Sequence, residues 1–270
     1  MVINITGNEL EKRFKEIMQA YIISFKDNEK LKKDYLELKL ILFKIASNLQ
    51  AANLLWAKAG YNDAKILLRS AYESMVLFEY LINYPDETKT FNEHSKICEF
   101  NNIFSYFKRN YINIEELIKI YNSLETNIRM QIPFENISKK GIISYDVHKL
   151  EKFFISQFKP ISQKVHFMMS QLKKKNTPHW SVIKEYSITS YNIGSQITHG
   201  CLNTLIDAFV QKPTDSKNLQ EIKGCFSDSI FIIHITLESL ETLVQLDNSS
   251  YIGDKIRPFY EYLGYDLSVM

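Results

Sequence analysis

Between Ile66 and Ile82 the chain is apolar on nearly every face of a helix. This stretch opens at Asn62 or Asp63, both good N-caps, and closes before Pro85. A helix apolar all round has no face to give to solvent, so the others must pack around it. The rest of the sequence supplies them. Eight glycines and six prolines in 270 residues leave little turn chemistry, while long stretches repeat apolar residues at three- and four-residue spacing. The pattern predicts an all-α multi-helix bundle and almost no strand.

The expected helices run from about 8 to 26, with Leu10, Phe14, Ile17, Met18, Tyr21 and Ile22 as the apolar stripe, and from about 29 to 59, where Gly60 gives a stop. The central helix covers about 62 to 84. More polar helices follow near 89 to 108 and 113 to 130, ending at Pro133, and Glu135 to Ser144 reads as a long loop. Helices near 145 to 157 and 161 to 174 are separated by Pro160. A further helix is expected from Ser181, taken as its N-cap, to about Val210, then a long one over about 215 to 247 and a short one near 254 to 263. No repeat or linker divides the chain, so residues 1–270 are expected to form one helical domain. Its core would be about 29 to 84 and 181 to 247, with peripheral helices over 86 to 175.

Composition excludes several classes of function. Thirty-three Lys and Arg against 31 Asp and Glu give a net charge of +2, too balanced for a protein that coats nucleic acid or a membrane surface, so any such contact is local. Cys98, Cys201 and Cys225 are widely spaced in apolar surroundings, which suggests buried reduced thiols. The N-terminus turns polar before a signal region develops, and no window reaches ~18 uninterrupted apolar residues, so a cytoplasmic protein without membrane contact is expected. Neither the Glu-x2-His pair of di-iron bundles nor HExxH occurs, and no metal or other cofactor is expected.

The central helix nevertheless carries Arg69 and Glu73, one turn apart on one side. Burying either alone costs several kcal/mol, so they must pair or meet polar groups of another helix. The helix from Ser181 offers such groups. Tyr191, Ser195 and His199 recur at four-residue spacing with Asn192 and Thr198 alongside, and Gly194 and Gly200 flank them. Arg69 and Glu73 are then either an anion-binding arginine with its orienting carboxylate or an ion pair that fixes helix register. His199 is either a general acid/base or a core histidine that donates to a carboxylate. Ser195 and His199 project in parallel with no oxyanion hole, which argues against a serine hydrolase. His234 and Glu238 share a helix face, which an interhelical hydrogen bond explains as well as a site does. Lys173, Lys174 and Lys175, with His179 and Trp180 beyond, read as a solvated loop or as a phosphate contact with a stacking ring.

The segments AKILLRSAYESMVLFEYL and WSVIKEYSITSYNIGSQITHG, over roughly residues 40 to 210, resemble the mostly bacterial domain-of-unknown-function family 5677. The likeness implies that Arg69, Glu73, Tyr191, Ser195 and His199 form the family's polar signature, and it brings no activity with it. More distantly, the chain is similar to HEPN helical bundles, many of them metal-independent ribonucleases of toxin and phage-defence systems, with sites formed across a dimer. The chain departs from their signature, because no Arg stands four to six residues before any His. Ser195 and Gln196 occupy the place, and Arg69 would have to supply the cation from another helix.

The resulting expectation is a bacterial defence or toxin-type protein acting on RNA or a nucleotide. In it His199 is the acid/base, Arg69 holds a phosphate, Glu73 orients Arg69, and Tyr191, Asn192 and Ser195 bind substrate. The alternative is a non-enzymatic interaction or regulatory subunit whose polar cluster is structural, with a homodimer or another protein as partner.

Overall fold

In the computed structural model the described residues are 7–56, 61–132, 161–187 and 215–244, and every element among them is a helix. In chain order these are α1 (Gly7–Lys26), α2 (Glu29–Asp34), α3 (Leu36–Trp56), α4 (Tyr61–Asn83), α5 (Glu87–Lys108), α6 (Ile114–Ser123), α7 (Thr126–Gln131), α8 (Ile161–Lys175), α9 (Trp180–Tyr186) and α10 (Asp215–Val244). The all-α expectation holds. The stretches expected near 135 to 157 and 254 to 263 lie outside the described residues.

The chain divides into two compact units, Met1–Asn83 with Phe167–Met270, and Tyr84–His166. In the first, α4 is the central helix that its composition demands. Ala71, Tyr72, Met75, Val76 and Phe78 have no exposed surface. It packs most extensively on α3 and next on α10, while α1 and α2 pack on α3. The buried face of α3 includes Leu42, Ile45, Ala46, Leu49 and Ala52, where the small alanines permit close approach of a neighbouring helix. At one end Phe14, Trp56 and Phe226 from α1, α3 and α10 meet edge-on, with Trp56 and Phe226 4.1 Å apart between ring centroids and Phe14 and Phe226 5.3 Å apart. Such pairs add to area burial and fix how three helices meet. Further along the same two helices Thr236 of α10 donates to the Tyr21 hydroxyl of α1 at 3.0 Å, giving a fully buried phenol its partner.

Three boundaries differ from the sequence-based expectation, one of them the stretch over 113 to 130, which is two helices, α6 and α7, divided at Leu124 and Glu125. The single helix expected over about 29 to 59 is two, because Tyr35 leaves helical geometry at φ −142°. Asp34 is unfavourable at the C-terminal end of α2, and an acid is favourable at the start of the next helix, where Glu37 stands in the first turn. No Gly or Pro signals the break. Ser181 is likewise not an N-cap. It lies inside α9, exposed, and His179 occupies the cap position.

In the second unit Ile97, Phe100 and Phe104 of α5 bury against Leu117 and Tyr121 of α6 and Ile128 of α7. A reciprocal capping box fixes the start of α6: Asn113 Oδ1 accepts from the Glu116 amide, and Glu116 Oε2 accepts from the Asn113 amide, both at 2.9 Å.

Candidate functional site

Arg69 and Glu73 pair with each other, one of the two arrangements that the sequence left open. Arg69 Nε donates to Glu73 Oε1 at 2.9 Å, and the two side chains are only 9% and 17% exposed. Next to them Asn48 of α3 donates to Ser70 Oγ at 3.0 Å, so the polar side of α4 is tied to α3. Tyr72, between the two charged residues in sequence, holds the following segment. Its hydroxyl donates to the Ile183 carbonyl at 2.9 Å, and its ring stacks on Tyr186 at 5.1 Å. Tyr186 in turn stacks on Phe231 of α10 at 4.5 Å. α9 therefore meets α4 at Tyr72, one turn from Arg69. Tyr191, Asn192, Ser195 and His199 lie outside the described residues.

A second polar cluster, which the sequence reading did not assemble, sits lower on α4. Its origin is the turn after α8. Asn176 takes a left-handed φ of 52°, which asparagine tolerates better than most residues. The amides of Asn176 and Thr177 bond back to the Lys173 and Leu172 carbonyls at 3.0 and 3.3 Å. This Schellman closure followed by Pro178 starts α9 two residues earlier than expected and turns His179 inward.

Instead of capping its own helix, the His179 imidazole is held on both sides. Nδ1 lies 3.3 Å from Glu79 Oε2 and 3.2 Å from Ser239 Oγ, and Nε2 lies 2.9 Å from Glu238 Oε2. The other oxygen of Glu238 accepts from His234 Nε2 at 3.2 Å. So His234 and Glu238 do share a face, and Glu238 joins two imidazoles. Glu79 is buried, while Glu238 is 44% exposed.

The electrostatics of this cluster are those of a clamp. Hydrogen bonds to Glu238 and then Glu79 raise the His179 pKa to about 9, outweighing the desolvation that opposes its charge. The same bonds, from His179 first and His234 second, hold the Glu238 carboxyl far below its usual range. A histidine that stays cationic and a carboxylate that stays ionised are poorly matched to proton transfer near neutrality. They do pin the α8–α9 turn to α4 and α10. The signal for this cluster was Glu79 itself, a carboxylate on an otherwise apolar helix that needs a cation as much as Glu73 does. At 1.5 Å per residue it lies about 15 Å along α4 from Arg69, so the two clusters are separate.

The lysine run divides between two roles. Lys175 Nζ donates to the Asn83 carbonyl, and Lys173 lies over the Trp180 ring at 6.0 Å. Lys174 is exposed. Cys225 is buried, as expected, whereas Cys98 is half-buried, 3.4 Å from His94 Nε2. Among the described residues, no three His, Cys, Asp or Glu are grouped to hold a metal ion, and no helix is long and apolar enough to cross a membrane.

Fold and polar centre together define an all-α bundle whose core helix carries buried charge, of which Glu79, with Tyr72, fastens the helix that follows α8. The chain belongs to the family of unknown function DUF5677, whose model matches residues 38–218. That span takes in Arg69, Glu73, Glu79, His179 and the expected Tyr191, Asn192, Ser195 and His199; His234, Glu238 and Ser239 fall beyond it. No curated protein and no solved structure matches the chain.

Proposed function

We propose that this protein acts on RNA or a nucleotide, as a defence or toxin-type protein, at the polar side of α4 marked by Arg69 and Glu73. In this reading Arg69 holds a phosphate, Glu73 fixes the guanidinium plane through Nε, and His199 serves as acid and base. Tyr191, Asn192 and Ser195 donate hydrogen bonds to substrate. The observation that carries it is the attachment of α9 at Tyr72. The Tyr72–Ile183 bond and the Tyr72–Tyr186 stack hold α9 on α4 at Tyr72, the residue before Glu73, and Tyr186 stands five residues before Tyr191. Arginine suits the role because its planar fork matches phosphate geometry and keeps its charge at every accessible pH. The cleavage would be metal-independent, with the cation supplied by Arg69.

The low exposure of Arg69 and Glu73 favours a second reading, in which the pair fixes helix register in a non-enzymatic interaction or regulatory protein. One experiment separates them. Purified protein, His199→Ala and Arg69→Lys are incubated with total cellular RNA, with and without chelator, and each is melted. Cleavage that survives chelation and disappears in both variants, at unchanged melting temperature, supports the enzyme. Absence of cleavage by the parent protein, with both variants melting several degrees lower, rejects it in favour of the structural pair.

A further inference from the structure

A groove of about 520 Å³ runs between α1 and α3, within the size range of small-molecule sites. Phe14, Met18, Ile22 and Ile23 of α1 and Leu54 of α3 give it an apolar lining, and Lys15 and Lys26 stand on its α1 side. Ile23 and Leu54 are 59% and 58% exposed. A separate observation points to an occupant. Asn53 also lines the groove, is only 5% exposed, and its Oδ1 is buried with no hydrogen-bond partner. A buried amide oxygen without a donor is costly, and an N–H or O–H brought into the groove would relieve it.

We infer that the α1–α3 groove binds a small amphipathic anion of the acyl-amide class, with an apolar tail, an amide N–H and a carboxylate end. Each part answers one feature of the groove. The tail covers the apolar lining, the N–H donates to Asn53 Oδ1, and the carboxylate meets the positive lip made by Lys15 and Lys26. Lys15, itself exposed, pairs with the half-buried Glu11 at 2.7 Å, an i,i+4 surface pair that screening leaves weak enough to exchange for a ligand carboxylate. This inference is independent of the function proposed above, since the groove is formed by α1 and α3, away from the Arg69 side of α4.

The test uses the full chain and its own reporter. Trp56 and Trp180 are the two tryptophans, and the Trp56 ring lies 6.5 Å from that of Phe14 at the groove, so a Trp180→Phe protein reports on Trp56 alone. Its emission is titrated, below micellar concentrations, with N-dodecanoylglycine, with the ester analogue dodecanoyloxyacetate that lacks the N–H, and with N-dodecanoylglycine methyl ester that lacks the charge. Saturable binding of the first is expected, with each of the others at least tenfold weaker. Asn53→Leu should abolish the preference for the amide over the ester, and Lys15→Glu with Lys26→Glu the preference for the acid over its methyl ester. Leu54→Arg, at an exposed position where folding is undisturbed, should block all three. Equal affinity for the three probes would overturn the assignment, as would absence of both an emission change and a calorimetric signal with N-dodecanoylglycine.

Discussion

Replacing His179 with glutamine removes the proton from the clamp while keeping a side chain able to hydrogen-bond, and its consequence depends on pH in a defined direction. The folded protein holds this imidazole's pKa near 9 against an ordinary 6.5. At about 1.4 kcal/mol per pH unit, that interval sets a ceiling near 3 kcal/mol on what the protonated clamp contributes. Glu238, the stronger partner, is 44% exposed, so solvent screens part of the interaction and about 1–2 kcal/mol is the realistic share. The depressed Glu238 pKa records the same bonds and is not added again. Because the folded pKa is the raised one, the contribution is fully present below pH 6.5, declines above it, and is gone once the pH passes about 9. His179→Gln should therefore melt roughly 3–6 °C below the parent at pH 6, with the gap closing by pH 10. Tryptophan emission follows the right unit, since Trp56 and Trp180 both belong to the one that holds the clamp. A gap of equal size at pH 6 and pH 10, or an imidazole found by NMR to titrate near 6.5, would refute the reasoning.

Three further substitutions probe how the elements are fastened. Tyr72→Phe keeps the stack on Tyr186 but leaves the Ile183 carbonyl without its donor, which should cost about 1–2 kcal/mol in urea unfolding; an unchanged midpoint would mean that this bond does not hold α9. Phe226→Ala empties the junction of α1, α3 and α10 beside Trp56, with an expected loss of about 3–5 kcal/mol and a red-shifted Trp56 emission, whereas a loss under 1 kcal/mol would show that the helices close over the gap. In the second unit Asn113→Ala breaks the capping box and should cost about 1 kcal/mol, read as faster amide exchange in the first turn of α6 with the first unit unaffected.

The sequence announced this architecture because its strongest signals are local. Apolar spacing and the shortage of glycine and proline act within a few turns, and so the central position of α4 and the extent of α1, α5, α8 and α10 were legible to within a few residues. The break at Tyr35 was not, since it follows from a balance of weak charge–dipole effects and no breaker residue marks it. The start of α9 was misplaced because a serine before an apolar run is a good cap in isolation, while the left-handed Asn176 and Pro178 had already set the helix in motion at His179.

Buried charge was legible only as a demand. A carboxylate on an apolar helix announces that a cation must come to it, but not from where, and the two acids on α4 illustrate the difference. Glu73 is answered by Arg69 four residues earlier, a spacing that any helix enforces. Glu79 is answered by His179, 100 residues away, through a turn whose geometry the sequence discloses only in retrospect. His179 is in turn shared with Glu238, and this sharing gives the clamp its charge balance. Two carboxylates around one imidazolium hold the proton more firmly than either alone, so the clamp stays closed throughout the neutral range. The register of the helix that follows α8 is thus set in part by His179 and Glu238, which do not titrate near neutrality. Pairs of that kind can keep a neighbouring polar surface in place while proton transfer is left to other residues.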